Sequence, residues 1–216
     1  GDDGTILVTI NGGTTWTPKS VGTTMNLTAV ACADASHAFA VGYDDETYEG
    51  IIFATTDGGD TWTEQDSGVT GALNGVAFCS SSHGWAVGDD GTILVTINGG
   101  TTWTPQDSGT TDPLYGVACA DTTHAFAVGY DDFTESVTIL ATTDGGTIWT
   151  EQGSGTTEAL NGVACADTTH AFAVGRYGTI LATTDGGTDW TEQSSGATEE
   201  LSDVDCADAS RAFAVG

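Results

Sequence analysis

Four pairs of adjacent aspartates, Asp2-Asp3, Asp44-Asp45, Asp89-Asp90 and Asp131-Asp132, carry the clearest chemical potential in this sequence. They recur at one point of an internal repeat, and a fifth copy has Arg176-Tyr177 there instead. A hard cation such as calcium takes about six to eight oxygen ligands, and a face lined by paired carboxylates could supply them. The spacing is not that of an EF-hand. The pairs therefore read either as a solvated acidic rim or as a rim that binds calcium or another ligand. Tyr43, Tyr48, Tyr130, Phe133 and Tyr177 belong to the same segments. Aromatic rings beside polar groups suit a contact face for protein or glycan.

Other chemistries fail on count or spacing. His37, His83, His124 and His170 recur once per repeat, with Arg211 at the fifth position. Equivalent positions on stacked sheets lie about 10 Å apart. A zinc ion with bonds of about 2 Å cannot bridge them. They read as polar residues opening a strand. Binding the carboxylate of a sialic acid calls for clustered arginines, and Arg176 and Arg211 occupy non-equivalent positions. A paired-carboxylate glycosidase needs one distinguished pair, whereas acids that recur in every repeat read as scaffold. No enzyme is expected. Asn26-Leu27-Thr28 is a glycosylation sequon, expected on a loop if the protein is secreted.

These residues are positioned by a repeat. The pattern TxDGGxxW or TxNGGxxW occurs five times and ends at Trp16, Trp62, Trp103, Trp149 and Trp190, spaced 46, 41, 46 and 41 residues apart. A period in the forties built of short strands is the signature of a propeller or solenoid. Asp57, Asp144 and Asp185 invite an acid–base reading. Asn11 and Asn98 fill the same position in two copies, which points to turn capping instead, with the glycines supplying positive φ. The five tryptophans read as wedges between neighbouring units. Trp85 replaces Phe39, Phe126, Phe172 and Phe213 and reads as a larger core filler.

Within the unit from Leu160 to Gln193, four alternating segments parse as four antiparallel strands, one blade of a propeller. The same parse places blades at about 27–65, 73–107, 114–152 and 160–193. Residues 201–216 and 1–18 carry the two halves of a fifth. The expected fold is all-β, a single-domain five-bladed propeller closed by terminal strands that share one blade, which leaves no long free edge. Insertions at Tyr43–Gly50 and Tyr130–Val137 account for the longer units. Segments 2–17 and 89–104 are identical, as are 121–129 and 167–175.

Lys plus Arg total 3 against 31 Asp plus Glu, a net charge of −28. With no basic patch, nucleic acid and anionic membrane surfaces are excluded as partners. No apolar run is long enough to span a bilayer. Self-repulsion of this size fits a high-salt environment or an extracellular or cell-surface location. Cys32, Cys79, Cys119, Cys165 and Cys206, one per repeat and odd in number, read as small buried hydrophobes rather than a disulfide framework.

The motif [Ser/Thr]-x-Asp-x-Gly-x-x-Trp resembles the Asp-box, or BNR repeat, of sialidase-like propellers. With Leu-x-x-Val before it and Ala-Val-Gly after it, the unit is most similar to the photosystem II assembly-factor family of propellers. The resemblance spans the whole sequence and implies a protein-binding scaffold that assists assembly of a membrane complex. Such members engage partners through an arginine-rich surface, and only Arg176 and Arg211 are present here. The expected role is a non-enzymatic binding or assembly module that uses the loops between second and third strands. The alternatives are a structural repeat protein, designed, recently amplified or self-assembling as a fibre subunit, and a glycan-binding or glycan-active propeller.

Overall fold

A computed structural model describes residues 1–216. The chain forms twenty strands and no α-helix. It begins with a hairpin, β1 (Thr5–Val8) and β2 (Thr17–Ser20). A four-stranded sheet follows, β3 (Asn26–Cys32), β4 (Ala38–Tyr43), β5 (Gly50–Thr55) and β6 (Thr63–Gln65). Three more sheets repeat this order: β7 (Leu73–Phe78), β8 (Gly84–Gly88), β9 (Ile93–Thr96) and β10 (Thr104–Gln106); β11 (Leu114–Cys119), β12 (Ala125–Asp131), β13 (Ser136–Thr142) and β14 (Thr150–Glu151); and β15 (Leu160–Cys165), β16 (Ala171–Gly175), β17 (Ile180–Thr183) and β18 (Thr191–Glu192). The last hairpin pairs β19 (Asp203–Asp208) with β20 (Arg211–Val215). Every pairing is antiparallel and between neighbours in sequence, as short turns dictate.

The first strands β3, β7, β11, β15 and β19 pack in succession. All five line a central cavity of about 370 Å³, through Thr28, Asn74, Tyr115, Asn161 and Asp203 among others. Side chains lash this inner ring together. The Thr28 hydroxyl donates to the carbonyl of Leu73 at 2.7 Å. The amides of Asn74 and Asn161 donate to the carbonyls of Leu114 and Leu201 at 3.0 and 2.9 Å. Between sheets the core is apolar: Val41, Ile52, Leu73 and Leu94 in one layer, Trp85, Ile93, Leu114 and Leu140 in the next. Each layer draws on two successive repeats, because one repeat cannot bury its own faces.

The terminal hairpins depart from expectation. β1–β2 and β19–β20 are separate two-stranded sheets, and β20 forms no ladder with β1. Each half is seated on its own neighbour. Ile6 packs with Val21, Leu27, Ile51 and Phe53, while Val204 packs with Ala164 and Val174. The four complete sheets match the four expected blades, and two separate half-sheets stand where a shared closing blade was expected.

Two further corrections follow from this opening. In two repeats the tryptophan packs edge-on against the second-strand phenylalanine of the repeat before it, Trp103 on Phe39 at 6.2 Å and Trp190 on Phe126 at 5.5 Å, while Trp149 packs in one cluster with Trp85. Trp103, Trp149 and Trp190 are buried as wedges, but Trp16 has no such neighbour and is exposed. Cys32, expected in the core, is likewise exposed on the uncovered face of β3, and all five cysteines are free.

Candidate functional site

The sheet arrangement sorts the candidate residues onto two faces. On one face the Asp/Asn-Gly-Gly turns lie against the turns between first and second strands. Gly58, Gly99, Gly145 and Gly186 donate their N–H groups to the carbonyls of Ser36, Ser82, Thr123 and Thr169. Asp57 Oδ1 accepts the Thr61 N–H at 2.9 Å and the Thr55 hydroxyl at 2.8 Å. Asn98 Oδ1 accepts the Thr102 N–H at 3.0 Å and the Thr96 hydroxyl at 3.1 Å. Asn11, Asp144 and Asp185 repeat the arrangement. Carboxylate and amide thus do the same work, which is capping. The histidines of this face are held locally: Nδ1 of His37, His124 and His170 lies 2.9–3.0 Å from Asp34, Asp121 and Asp167. His83, whose repeat has Ser80 in place of the aspartate, instead lies against Trp85, and burial lowers its pKa.

The opposite face carries the segments between second and third strands. Asp2–Gly4, Asp89–Gly91 and Arg176–Gly178 are three copies of one short 3-10 turn. Their middle residues Asp3, Asp90 and Tyr177 adopt left-handed φ of 53°, 54° and 55°. Arg176-Tyr177 therefore stands in the geometry of an aspartate pair. In the two longer loops the first aspartate is structural. Asp44 Oδ1 accepts the N–H groups of Glu46 and Thr47, and Asp131 Oδ1 those of Phe133 and Thr134. Three of the remaining carboxylates, Asp45, Asp89 and Asp132, meet side chains from other strands or sheets. Asp45 accepts from the Asn26 amide at 2.8 Å and Asp89 from the Asn74 amide at 3.0 Å.

No three His, Cys, Asp or Glu side chains converge in a group that could hold a metal ion. The aspartate pairs share a face without forming a cluster. Asn26 opens strand β3, half-buried and committed to Asp45, so the sequon does not sit on a free loop.

What does converge is aromatic and cationic. Arg176 reaches across to the preceding sheet, where Nη1 donates to Asp132 Oδ1 at 2.9 Å and the guanidinium lies 5.4 Å from the Tyr130 ring centre. Tyr43 stacks on Tyr48 at 5.4 Å. Phe133 is fully exposed, and Tyr48 and Tyr177 are largely so. At the cavity mouth, burial first and then the charges of Asp132 and Asp89 raise the pKa of Tyr115, which Arg176 opposes. Tyr115 escaped sequence reasoning. It replaces the asparagine found at 74 and 161, and that departure within a near-identical repeat was the available signal.

Comparison with known proteins bears on this arrangement. No protein-family model matches the chain, and no curated protein is similar enough in sequence to match it. Solved structures do match. YCF48 bound to D1 peptide superposes with a TM-score of 0.65 at 21% identity, over 86% of this chain and 59% of that one. YCF48 from Cyanidioschyzon merolae gives 0.56 at 17%, over 99% and 86%. The GH74 xyloglucanase from Xanthomonas campestris gives 0.70 at 14%, over 98% and 39%. The chain spans about three-fifths of the peptide-bound structure and a smaller share of the hydrolase. At these identities the likeness concerns architecture alone, and with the sheets described above it establishes the fold as a β-propeller.

Proposed function

We propose that this chain is a non-enzymatic, protein-binding propeller of Asp-box repeats. Its fifth blade is divided between the two terminal hairpins, and its contact face is the one built by the loops between second and third strands. The observation that carries this reading is a set of exposed rings, Tyr48, Phe133 and Tyr177, on the face where Arg176, Tyr130 and Asp132 link two blades. Large aromatic side chains left in water beside satisfied polar groups are what interface hot spots are made of. The peptide-bound YCF48 structure supports the use of such a propeller for peptide recognition. The ligand chemistry follows from the field. A surface of net charge −28 selects a basic segment that also offers an aromatic or aliphatic anchor. The same charge suits a protein exposed to high salt or outside the cell.

The test is an immobilised array of basic, acidic and neutral peptides, each with and without aromatic residues, probed with the protein and with a Phe133→Ala/Tyr177→Ala variant. Selective retention on basic aromatic peptides, weakened more than about tenfold in the variant, is the expected result, since hot-spot truncations cost about 2 kcal/mol or more. Retention that ignores peptide charge, or survives the double substitution, overturns the reading.

A further inference from the structure

One cysteine is out of step with the others, and the shift changes what it faces. Cys119, Cys165 and Cys206 follow the pattern Val-x-Cys, and each packs into the core at the junction with the sheet before its own. The next residue along the strand is alanine in these repeats, and alternation turns it towards the opposite face. Ala33, at that second position, accordingly packs into the core between the first and second complete sheets. In the second complete sheet Phe78 takes the place of the usual cysteine, and Cys79 takes the place of the alanine. Phe78 therefore faces back and stacks on Phe39, with ring centres 4.0 Å apart. Cys79 faces forward, into the core shared with the third sheet.

That junction thus receives a thiol from each side. Cys79 and Cys119 pack against one apolar layer, which includes Trp85, Leu114 and Trp149. The strands that lead to them run close together. A Cβ added to Gly75 of β7 would lie 3.4 Å from Cα of Gly116 in β11. Disulfides need Cα atoms about 4.4–6.8 Å apart, so closely packed strands of this kind are where they form. As a thiol, Cys79 donates to the His83 carbonyl at 3.5 Å. Once Cys79 ionises, the Cys119 thiol donates to it, which lowers the pKa of Cys79. The same hydrogen bond, followed by burial, raises that of Cys119. Both side chains are half-buried, so neither is sealed from solvent.

We propose that Cys79 and Cys119 are a site of reversible oxidation, forming a disulfide that staples the second complete sheet to the third. The oxidant is a small-molecule disulfide of the glutathione class. The Cys79 thiolate attacks one of its sulfurs, the S–S bond of the oxidant breaks, and one glutathione thiolate leaves. Cys119 then loses its proton and attacks Cys79 Sγ, expelling the second glutathione thiolate. Two protein thiols are oxidised and one disulfide is reduced, and the two departing thiolates take up the two protons. The new bond closes a loop of about 40 residues, which restricts the unfolded chain and so favours the folded one. Cys165 and Cys206 have no such partner, because the position of Cys79 is occupied by Ala120 and Ala166 in the sheets before them.

The inference does not depend on the peptide-binding reading, and its test reads linkage and stability only. The unmodified protein is equilibrated with glutathione disulfide, its remaining thiols are alkylated, and the chain is cleaved at acidic residues for mass spectrometry. The expected product is a peptide pair joined through Cys79 and Cys119, with Cys165 and Cys206 alkylated. Dithiothreitol should release the pair. The thermal midpoint of the oxidised protein should exceed that of the reduced protein by about 5 °C or more. Cys79→Ala restores the residue that every other repeat carries at this position, so it should fold, and it should remove both the link and the shift. Cys165→Ala should leave both in place. Alkylation of both Cys79 and Cys119 after oxidation, or a glutathione adduct on Cys79 with no internal link, overturns the proposal. So does a midpoint that oxidation raises equally in the Cys79→Ala variant.

Discussion

The indole N–H of Trp149 donates to Gln106 Oε1 at 3.0 Å across two neighbouring blades. The same oxygen accepts the Trp85 N–H at 3.2 Å, while Gln106 Nε2 donates to the Gly145 carbonyl at 3.1 Å. The indole N–H groups of Trp62, Trp103 and Trp190 are buried without a partner, so Gln106 is a pin that other junctions lack. Trp85 is therefore more than a larger core filler. Leaving a buried donor unsatisfied costs about 1–3 kcal/mol. Gln106→Ala should lower stability by about 2 kcal/mol, or roughly 4–8 °C in thermal midpoint for a chain of this size. Gln106→Glu keeps an acceptor for both indole N–H groups but loses the donor to the Gly145 carbonyl, and should recover part of the loss.

Glycines of the turns separate into two kinds. Gly100 has φ +79°, and an added Cβ there would overlap Phe39 of the preceding blade. Gly12 has φ +67°, with open space where its Cβ would be. Gly12→Ala should cost only the left-handed penalty, about 1–2 kcal/mol. Gly100→Ala adds overpacking of a further 1–3 kcal/mol or so. Denaturant midpoints of the two variants, compared side by side, check the difference.

Exchange of amide and carboxylate in the Asp/Asn-Gly-Gly turns should be nearly silent. Asn98→Asp retains both acceptor bonds to Thr96 and Thr102, and stability should move by no more than about 0.5 kcal/mol. Asn98→Ala removes them and should cost about 1 kcal/mol. Equal urea midpoints for Asp and Ala at this position would refute capping as its role.

Acid should first help and then harm. The Thr61 hydroxyl holds the pKa of Asp57 well below the usual range. The Ser36 amide does so for Asp34, followed by His37, and the Thr169 hydroxyl does so for Asp167. Groups depressed in the folded state contribute stability above their unfolded pKa of about 3.9 and lose it as pH falls through the folded values. Protonation of the other carboxylates meanwhile relieves self-repulsion from the −28 charge. At low ionic strength the thermal midpoint should peak at roughly pH 4–5 and fall below that. Molar salt, with a Debye length of about 3 Å, should flatten the rise from neutral pH and leave the acid fall in place.

Most of the strand plan was legible because the repeat is nearly exact. Leu160–Cys165 alternates, Ala171–Gly175 follows the Asp-Thr-Thr turn, and the glycines of the turns sit at fixed offsets. The equivalence of Arg176-Tyr177 with the aspartate pairs was also readable, and the shared left-handed turn gives its geometry. Closure was not legible. Counting residues around the ring ignores the angle between packed sheets, which is set by side-chain volumes at each interface rather than by the period. Nor could the sequence show that adjacent aspartates would spend one carboxylate on local N–H groups, as Asp44 and Asp131 do. The Arg176–Tyr130–Asp132 contact spans two repeats and depends on the reach of one unrepeated side chain.

The separation of the two terminal hairpins also gives the molecule a graded resistance to unfolding. A closed ring would have equivalent junctions; an arc has a middle and two fraying ends. Blades touch only their neighbours, and many of the largest fully buried side chains, Trp85, Ile93, Leu114 and Leu140 among them, lie between the second and third complete sheets. Amide exchange should therefore be slowest in β8, β9 and β12 and quickest in β1, β2 and β20, with protection declining outward in both directions. Limited proteolysis is expected to cut the two half-sheets before the complete sheets between them.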